Sequence, residues 1–83
     1  MKSFRDRVLS VTAKIPEGKM LTYKEVAVLA GNAKAARAVG AVLKTNFNPD
    51  IPCHRVIRSD GRLGGYNRGE KRKREKLQKE KAI

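Results

Sequence analysis

Tryptophan is absent from this 83-residue sequence, aromatic side chains make up only 5% of it, and there is a single cysteine. So few aromatics argue against an aromatic-rich β-fold and for a compact, mainly helical domain. The lone Cys53 cannot close an internal disulfide, so cysteine usage gives no sign of an oxidising compartment. One cysteine and one histidine are also too few for the four ligands of a usual zinc site, so no metal is expected. No run approaches the roughly 20 apolar residues needed to span a bilayer. Arg5, Asp6 and Arg7 break the N-terminus where a secretory signal would place its apolar core. The expectation is a cytoplasmic chain with no membrane partner. Acidic residues are scarce as well, 8 against 20 Lys and Arg, for a net charge of +12. An excess of that size predicts a polyanionic partner such as nucleic acid, with an anionic membrane or simple solubility as the alternatives. Residues 68–81 hold eight basic and three acidic residues, which leaves +7 elsewhere, so a basic tail alone does not explain the charge.

What is present is helical periodicity. Phe4, Val8, Val11 and Ile15 recur at helical spacing from Ser3 to Ile15 and stop at Pro16 and Gly18. Thr22-Tyr23-Lys24-Glu25 has the form of a capping box. Tyr23, Val26, Ala27 and Ala30 then share one face, and Gly31 ends that helix. A third helix is predicted from about Ala33 to Lys44, with Ala36, Val39 and Leu43 toward the core and Lys34, Arg37, Ala38, Ala41 and Lys44 outward. A short helix, a glycine turn and a second helix with small and basic residues outward match a helix-turn-helix, although alanine-rich helices also form for propensity alone. Asn46 to Pro52 reads as a loop. Cys53 to Arg58 is expected to be a brief extended segment, followed by a turn and the glycine-rich Leu63-Gly64-Gly65-Tyr66. Residues 70–83 are predicted to form a basic C-terminal helix, its charges either on phosphates or simply solvated.

Pro52-Cys53-His54-Arg55-Val56 carries the most chemical information. A cysteine is nucleophilic as thiolate, and nearby cations favour that form; His54, Arg55 and Arg58 supply them. Taken alone, a single cysteine such as Cys53 is more commonly a small buried hydrophobe. Neighbours on an extended strand also point to opposite faces, so His54 need not touch it.

Taken together, these stretches resemble the O6-alkylguanine-DNA alkyltransferases, and specifically their C-terminal catalytic domain. The residues that carry the resemblance are Thr22 to Ala27 as the helix-turn-helix entry, Gly31 to Gly40 as the recognition helix, Ile51-Pro52-Cys53-His54-Arg55-Val56-Ile57 as the active-site signature, and Gly64-Gly65-Tyr66 as the substrate loop. The resemblance covers nearly the whole chain, residues 1–83 read as one catalytic and DNA-binding domain, without the family's usual N-terminal domain. It implies a small winged-helix-like domain that repairs double-stranded DNA as a monomer, without a cofactor. The alkyl group on O6 of a flipped guanine would pass irreversibly to Cys53. His54 would act through a water as the base, Glu80 would orient it, Asn46 would tie the active-site turn to the recognition helix, and Tyr23 would help protonate the departing base. Arg37 would fill the gap left in the duplex. Lys34, Ala38, Ala41 and Lys44 would face DNA with it, and Thr22, Ala35 and Ala36 would join that set. Backbone groups around Cys53 and Val56 would read the guanine edge, with Gly65, Tyr66 and Asn67 shaping the pocket. The family presents this helix to the minor groove, where little sequence is read. Extruding a base costs a few kcal/mol, which is why such a helix must carry an inserting side chain. The alternative within the same resemblance is a lesion-binding alkyltransferase-like protein. Those proteins characteristically carry another residue, often Trp, at the cysteine position.

The chain departs from the family pattern in three places. The loop between Asn46 and Cys53 is about one residue short. Asn67 and Arg68 stand where small residues are common, and the tail is more basic and less apolar than usual.

Overall fold

Ser3 starts the first helix by accepting a hydrogen bond from the Asp6 amide at 3.1 Å, satisfying a backbone donor that has no partner inside the helix. In the computed structural model, which describes residues 3–48, 50–60, 62–63 and 69–82, this α1 runs Phe4–Ala13. Its apolar stripe packs as the spacing predicts, with Val8 and Ile15 buried and Phe4 and Val11 half-buried. Thr12 is also fully buried, because its hydroxyl donates to the Val8 carbonyl one turn back at 2.8 Å.

After the two-residue strand β1, Leu21–Thr22, helix α2 spans Tyr23–Leu29. The capping box forms as predicted: Thr22 Oγ1 accepts from the Glu25 amide at 3.0 Å and Glu25 Oε1 accepts from the Thr22 amide at 2.9 Å. Gly31, at φ +94°, closes the helix while Asn32 N–H donates back to Ala27 O at 2.9 Å. An added Cβ at Gly31 would meet nothing within 4 Å, so only the backbone conformation penalises a side chain there. Gly31→Ala is expected to cost about 1 kcal/mol in urea unfolding, the price of a left-handed alanine. An unchanged midpoint would show that the turn relaxes without penalty.

Helix α3 is shorter than predicted. It spans Ala36–Lys44, not Ala33 onward, because Asn32 Oδ1 accepts from the Lys34 amide at 3.2 Å and Asn32 O accepts from the Ala35 amide at 3.1 Å. These bonds form a tight turn that competes with helix, and they place Lys34 and Ala35 before α3. From there the predicted faces hold: Val39 and Leu43 are buried, and Arg37, Ala38, Ala41 and Lys44 are exposed, with Ala36 half-buried between them.

The segment Cys53–Arg55 is a 3-10 turn, and extended structure begins only at β2, Val56–Ile57. This corrects the extended reading from Cys53. Pro52 O accepts from the Arg55 amide at 3.0 Å, and Ile51 O accepts from the Cys53 amide at 2.8 Å, which curls the chain around the cysteine. Strands β1 and β2 pair in parallel, Leu21 opposite Val56 and Thr22 opposite Ile57. A parallel pair needs a long crossover, here the helix-turn-helix itself. The pairing ties the entry of α2 to the exit of the cysteine turn.

The last helix, α4, spans Glu70–Lys79 and stops short of the predicted end at residue 83. Lys81 adopts φ +60° and the Ala82 amide returns to Leu77 O at 2.9 Å, a C-terminal cap. Only Lys73 and Leu77, four residues apart on one stripe, are buried from this helix. The core joins Val8, Ile15, Val26, Ala27, Ala30, Val39, Leu43, Cys53 and Val56, so the cysteine turn packs directly on the helix-turn-helix. Among the described residues no helix is long and apolar enough to cross a membrane.

Candidate active site and nucleic-acid interface

The 3-10 turn places Cys53 and His54 together in the interior, both buried. Glu80, the C-cap residue of α4, reaches back across 26 residues so that its Oε2 lies 2.9 Å from His54 Nε2. The same carboxylate receives two bonds from Arg55, Nε to Oε1 at 2.9 Å and Nη2 to Oε2 at 2.6 Å, a bidentate pair. Arg55 Nη1 also donates to Ile15 O at 2.8 Å, anchoring the group to the end of the first helical segment. The Arg55 hydrogen bonds are the main reason that the Glu80 carboxyl is held down to about 2. It is therefore ionised at neutral pH and can only accept hydrogen bonds. His54 Nε2 must then carry the proton in their contact. Burial pulls the His54 pKa down, and the Glu80 hydrogen bond offsets part of that effect. A neutral His54 donating through Nε2 leaves Nδ1 as the acceptor, which is the state a general base requires.

Lys73 is the largest fully buried side chain. Its Nζ donates to the Val56 carbonyl at 2.6 Å and lies 5.6 Å from the centre of the Tyr23 ring. Burial pushes its pKa down to about 8, while the Cys53 thiol group pulls the other way. The Tyr23 pKa is raised, first by burial and then by Cys53, and Arg58 opposes this. Tyr23 thus keeps its hydroxyl proton at neutral pH. Cys53 thus acts electrostatically on both Tyr23 and Lys73, which meet each other through the lysine over the tyrosine ring, and the three come from separate elements. The basic tail reading missed Lys73. Its four-residue spacing from Leu77, in a helix with almost no other apolar residue, was the available signal: a long aliphatic stem can fill an apolar position.

An open cleft of about 500 Å³ adjoins this group, lined by Tyr23, Ala36, Arg37, Gly40, Arg58, Ser59 and Asp60. Ala36, Arg37 and Gly40 come from α3, Tyr23 from α2, and Arg58, Ser59 and Asp60 from the segment after β2, so the helix-turn-helix and the stretch that follows the cysteine turn share one opening. Thr22 is spent on its capping box, and Lys34 sits in the turn before α3. Asn46 is buried; its backbone N–H donates to Leu43 O at 3.1 Å and its side-chain Oδ1 accepts from the Asn48 backbone N–H at 3.2 Å, holding the α3 exit to the loop that follows. Val56 is buried, and its carbonyl is the partner of Lys73. Gly65, Tyr66 and Asn67 lie outside the described residues. Arg55 and Arg58 were seen in the sequence only as nearby cations; their separate roles as carboxylate clamp and cleft lining come from the fold.

Comparison with known proteins matches residues 3–82 to the family model described as 6-O-methylguanine DNA methyltransferase, DNA binding domain. The chain is 49% identical over 77 residues to a methylated-DNA–protein-cysteine methyltransferase of Methanothermobacter thermautotrophicus, covering 93% of this chain and 43% of the relative. It therefore spans less than half the length of that protein. Among solved structures, Mycobacterium tuberculosis OGT in complex with DNA superposes with a TM-score of 0.91 at 41% identity, covering 99% of this chain and 51% of that one. S. pombe Atl1 in complex with damaged DNA containing O6-carboxymethylguanine superposes with a TM-score of 0.85 at 34% identity, covering 96% and 79% respectively. The chain belongs to the 6-O-methylguanine DNA methyltransferase family, as a mainly helical domain that matches the family's DNA-binding domain.

Proposed function

We propose that this chain is the part of the family that binds alkylated double-stranded DNA and accepts the alkyl group on Cys53. The observation that carries the reading is the His54–Glu80 contact at 2.9 Å on the same 3-10 turn as Cys53. His54 Nδ1, left as an acceptor, takes the thiol proton through an intervening water. The thiolate attacks the alkyl carbon, a carbon–sulfur bond forms, and the bond from that carbon to O6 breaks. The departing guanine takes up a proton, for which the protonated Tyr23 hydroxyl is the donor, and Tyr23 is restored from the proton that left Cys53. The net change is one thiol converted to a thioether and one guanine restored, with no cofactor. Because the thioether is stable, each molecule acts once.

Arg37 stands exposed on α3 and at the cleft, where an arginine can enter the duplex and take the place of the extruded base. The exposed Ala38 and Ala41 let the helix backbone approach the groove, and Lys44 meets phosphate. Incubation with duplex containing O6-methylguanine is expected to add the mass of one methyl group to the Cys53 peptide, and Cys53→Ala is expected to abolish the gain. A folded, DNA-binding protein whose mass never changes would refute transfer. The second reading, lesion binding without transfer, is favoured by one observation: the chain spans 79% of S. pombe Atl1. That reading predicts normal lesion affinity in Cys53→Ala and no alkylation of the native protein.

A further inference from the structure

Two guanidinium groups line the same cleft, Arg37 from α3 and Arg58 from the segment after β2. Among the described residues Arg37 makes no salt bridge, and Arg58 pairs only with Asp60, its Nη2 3.3 Å from Asp60 Oδ2. That pair is loosely held. Asp60 is shared with Arg62, whose Nε lies 3.9 Å from the same oxygen, and its Oδ1 accepts from the Arg62 amide at 3.0 Å. The Arg58 side chain is 53% exposed and that of Asp60 46%. An exposed ion pair of this kind contributes little and exchanges readily. The backbone keeps Arg58 in place independently of the pair, since its amide donates to Arg62 O at 2.9 Å beyond β2. Arg58 also acts on the Tyr23 hydroxyl, which puts its charge beside the mouth of the reaction site. The cleft therefore offers two cations against one carboxylate, and that carboxylate is already shared. An anion fits it better than a neutral group.

We propose that Arg58 is a positioning residue that grips a phosphate of the extruded nucleotide, exchanging Asp60 for the phosphodiester as the base enters the cleft. The inference rests on the reading above that a base leaves the stack, but it makes its own claim about how that base is held. Arg37 stays with the duplex while Arg58 holds the displaced backbone, so the two arginines divide the work of extrusion. A guanidinium suits this, because it can bind two phosphate oxygens at once.

The discriminating comparison is between a substrate with phosphates and one without. Arg58→Ala is expected to slow transfer from O6-methylguanine duplex about tenfold, the scale of one charge-assisted hydrogen bond. Transfer from O6-benzylguanine as a free base, which has no phosphate, should fall clearly less than transfer from duplex, since only the effect of Arg58 on Tyr23 is felt there, and Arg58→Lys should recover part of the duplex rate. In a Cys53→Ala background, where binding is read without chemistry, Arg58→Ala should lower the log-affinity against log-salt slope for lesion duplex by about 0.9, one phosphate contact. Asp60→Asn, which keeps an oxygen for the Arg62 amide, should tighten lesion binding by freeing Arg58. Equal losses on free base and duplex, or no loss on either with an unchanged salt slope, would overturn the proposal. So would weaker binding by Asp60→Asn, the result if the pair only braces the turn. A native protein that never transfers, yet shows the Arg58-dependent slope, would refute the transfer reading and leave this one standing.

Discussion

Glu80→Ala is expected to lose about 3 kcal/mol of stability at neutral pH, the lower end of the cost of removing one partner from a buried charged pair, since this cluster is part-buried. Arg55 and His54 would both lose their acceptor, while the Arg55 and Glu80 side chains are only 16% and 13% exposed in the native fold. Small domains have total stabilities of about 5–15 kcal/mol, so a loss of that size is a large share and should move the urea midpoint strongly. The pH profile gives a second readout. The folded carboxyl is held at about 2 against an ordinary 4.5. The native state therefore stays ionised where the unfolded chain takes up a proton. The stabilisation is present in full above pH 4.5 and disappears as pH falls toward 2. At about 1.4 kcal/mol per pH unit, this limb accounts for about 3 kcal/mol. His54 adds to it in the same direction. Its pKa is lowered in the fold, so stability also falls as pH drops below its ordinary 6.5. Glu80→Gln keeps one acceptor oxygen for Arg55 and should retain more stability than the alanine variant, yet lose the limb between pH 4.5 and 2. An unchanged acid profile in the glutamine variant would show that the carboxylate is not held as the geometry requires. Under the proposed function, slower methyl transfer should accompany both variants, because His54 loses the carboxylate that keeps its proton on Nε2.

Lys73→Met is expected to remove a rise in stability on the alkaline side. Burial pushes the folded pKa of Lys73 down to about 8 from an ordinary 10.5. Between those values the unfolded chain holds a proton that the native state has released, so stability increases with pH across the window, by about 3 kcal/mol if the whole shift is expressed. Tyr23 works against this above pH 10, since its raised pKa makes the fold keep a proton that the unfolded chain gives up. The rise is therefore best read between pH 8 and 10. Methionine fills the channel of the lysine stem but cannot donate to Val56 O, which would then lack the 2.6 Å bond. Loss of that bond costs about 1–3 kcal/mol, while removing a desolvated ammonium returns a similar amount. The two nearly cancel at pH 7, and the difference between variant and native should appear as the missing alkaline rise. A parallel profile in both proteins would place the lysine charge in solvent. If the electrostatic grouping of Lys73, Tyr23 and Cys53 serves the reaction, transfer should slow in Lys73→Met at pH 7 even where its stability is unchanged.

Much of this architecture was legible in the linear order. The capping box at Thr22 and Glu25, the left-handed stop at Gly31 and the inward stripe of Val39 and Leu43 are local: each depends on residues within one or two turns. The start of α3 was misplaced because Asn32 gives the backbone an alternative to helix, and such side-chain competition is decided by geometry rather than by periodicity. The cysteine turn was read as a strand for a similar reason, since β-branched residues follow it closely but Pro52 curls the chain first.

The sequence by itself determined the helix-turn-helix, the Cys53-His54-Arg55 segment as the candidate for chemistry, and a strongly cationic composition. Only the tertiary structure decided what α4 is for. From its composition it is a charged, solvated helix, and eight of its ten residues carry charge. Folded, it sends Lys73 fully inside to Val56 and delivers Glu80 to His54 and Arg55. The spacing of Lys73 from Leu77 is the one local hint, and no local pattern names the partners. A buried ion is favourable only when its partners are already in place, and those partners lie 17 to 26 residues away along the chain.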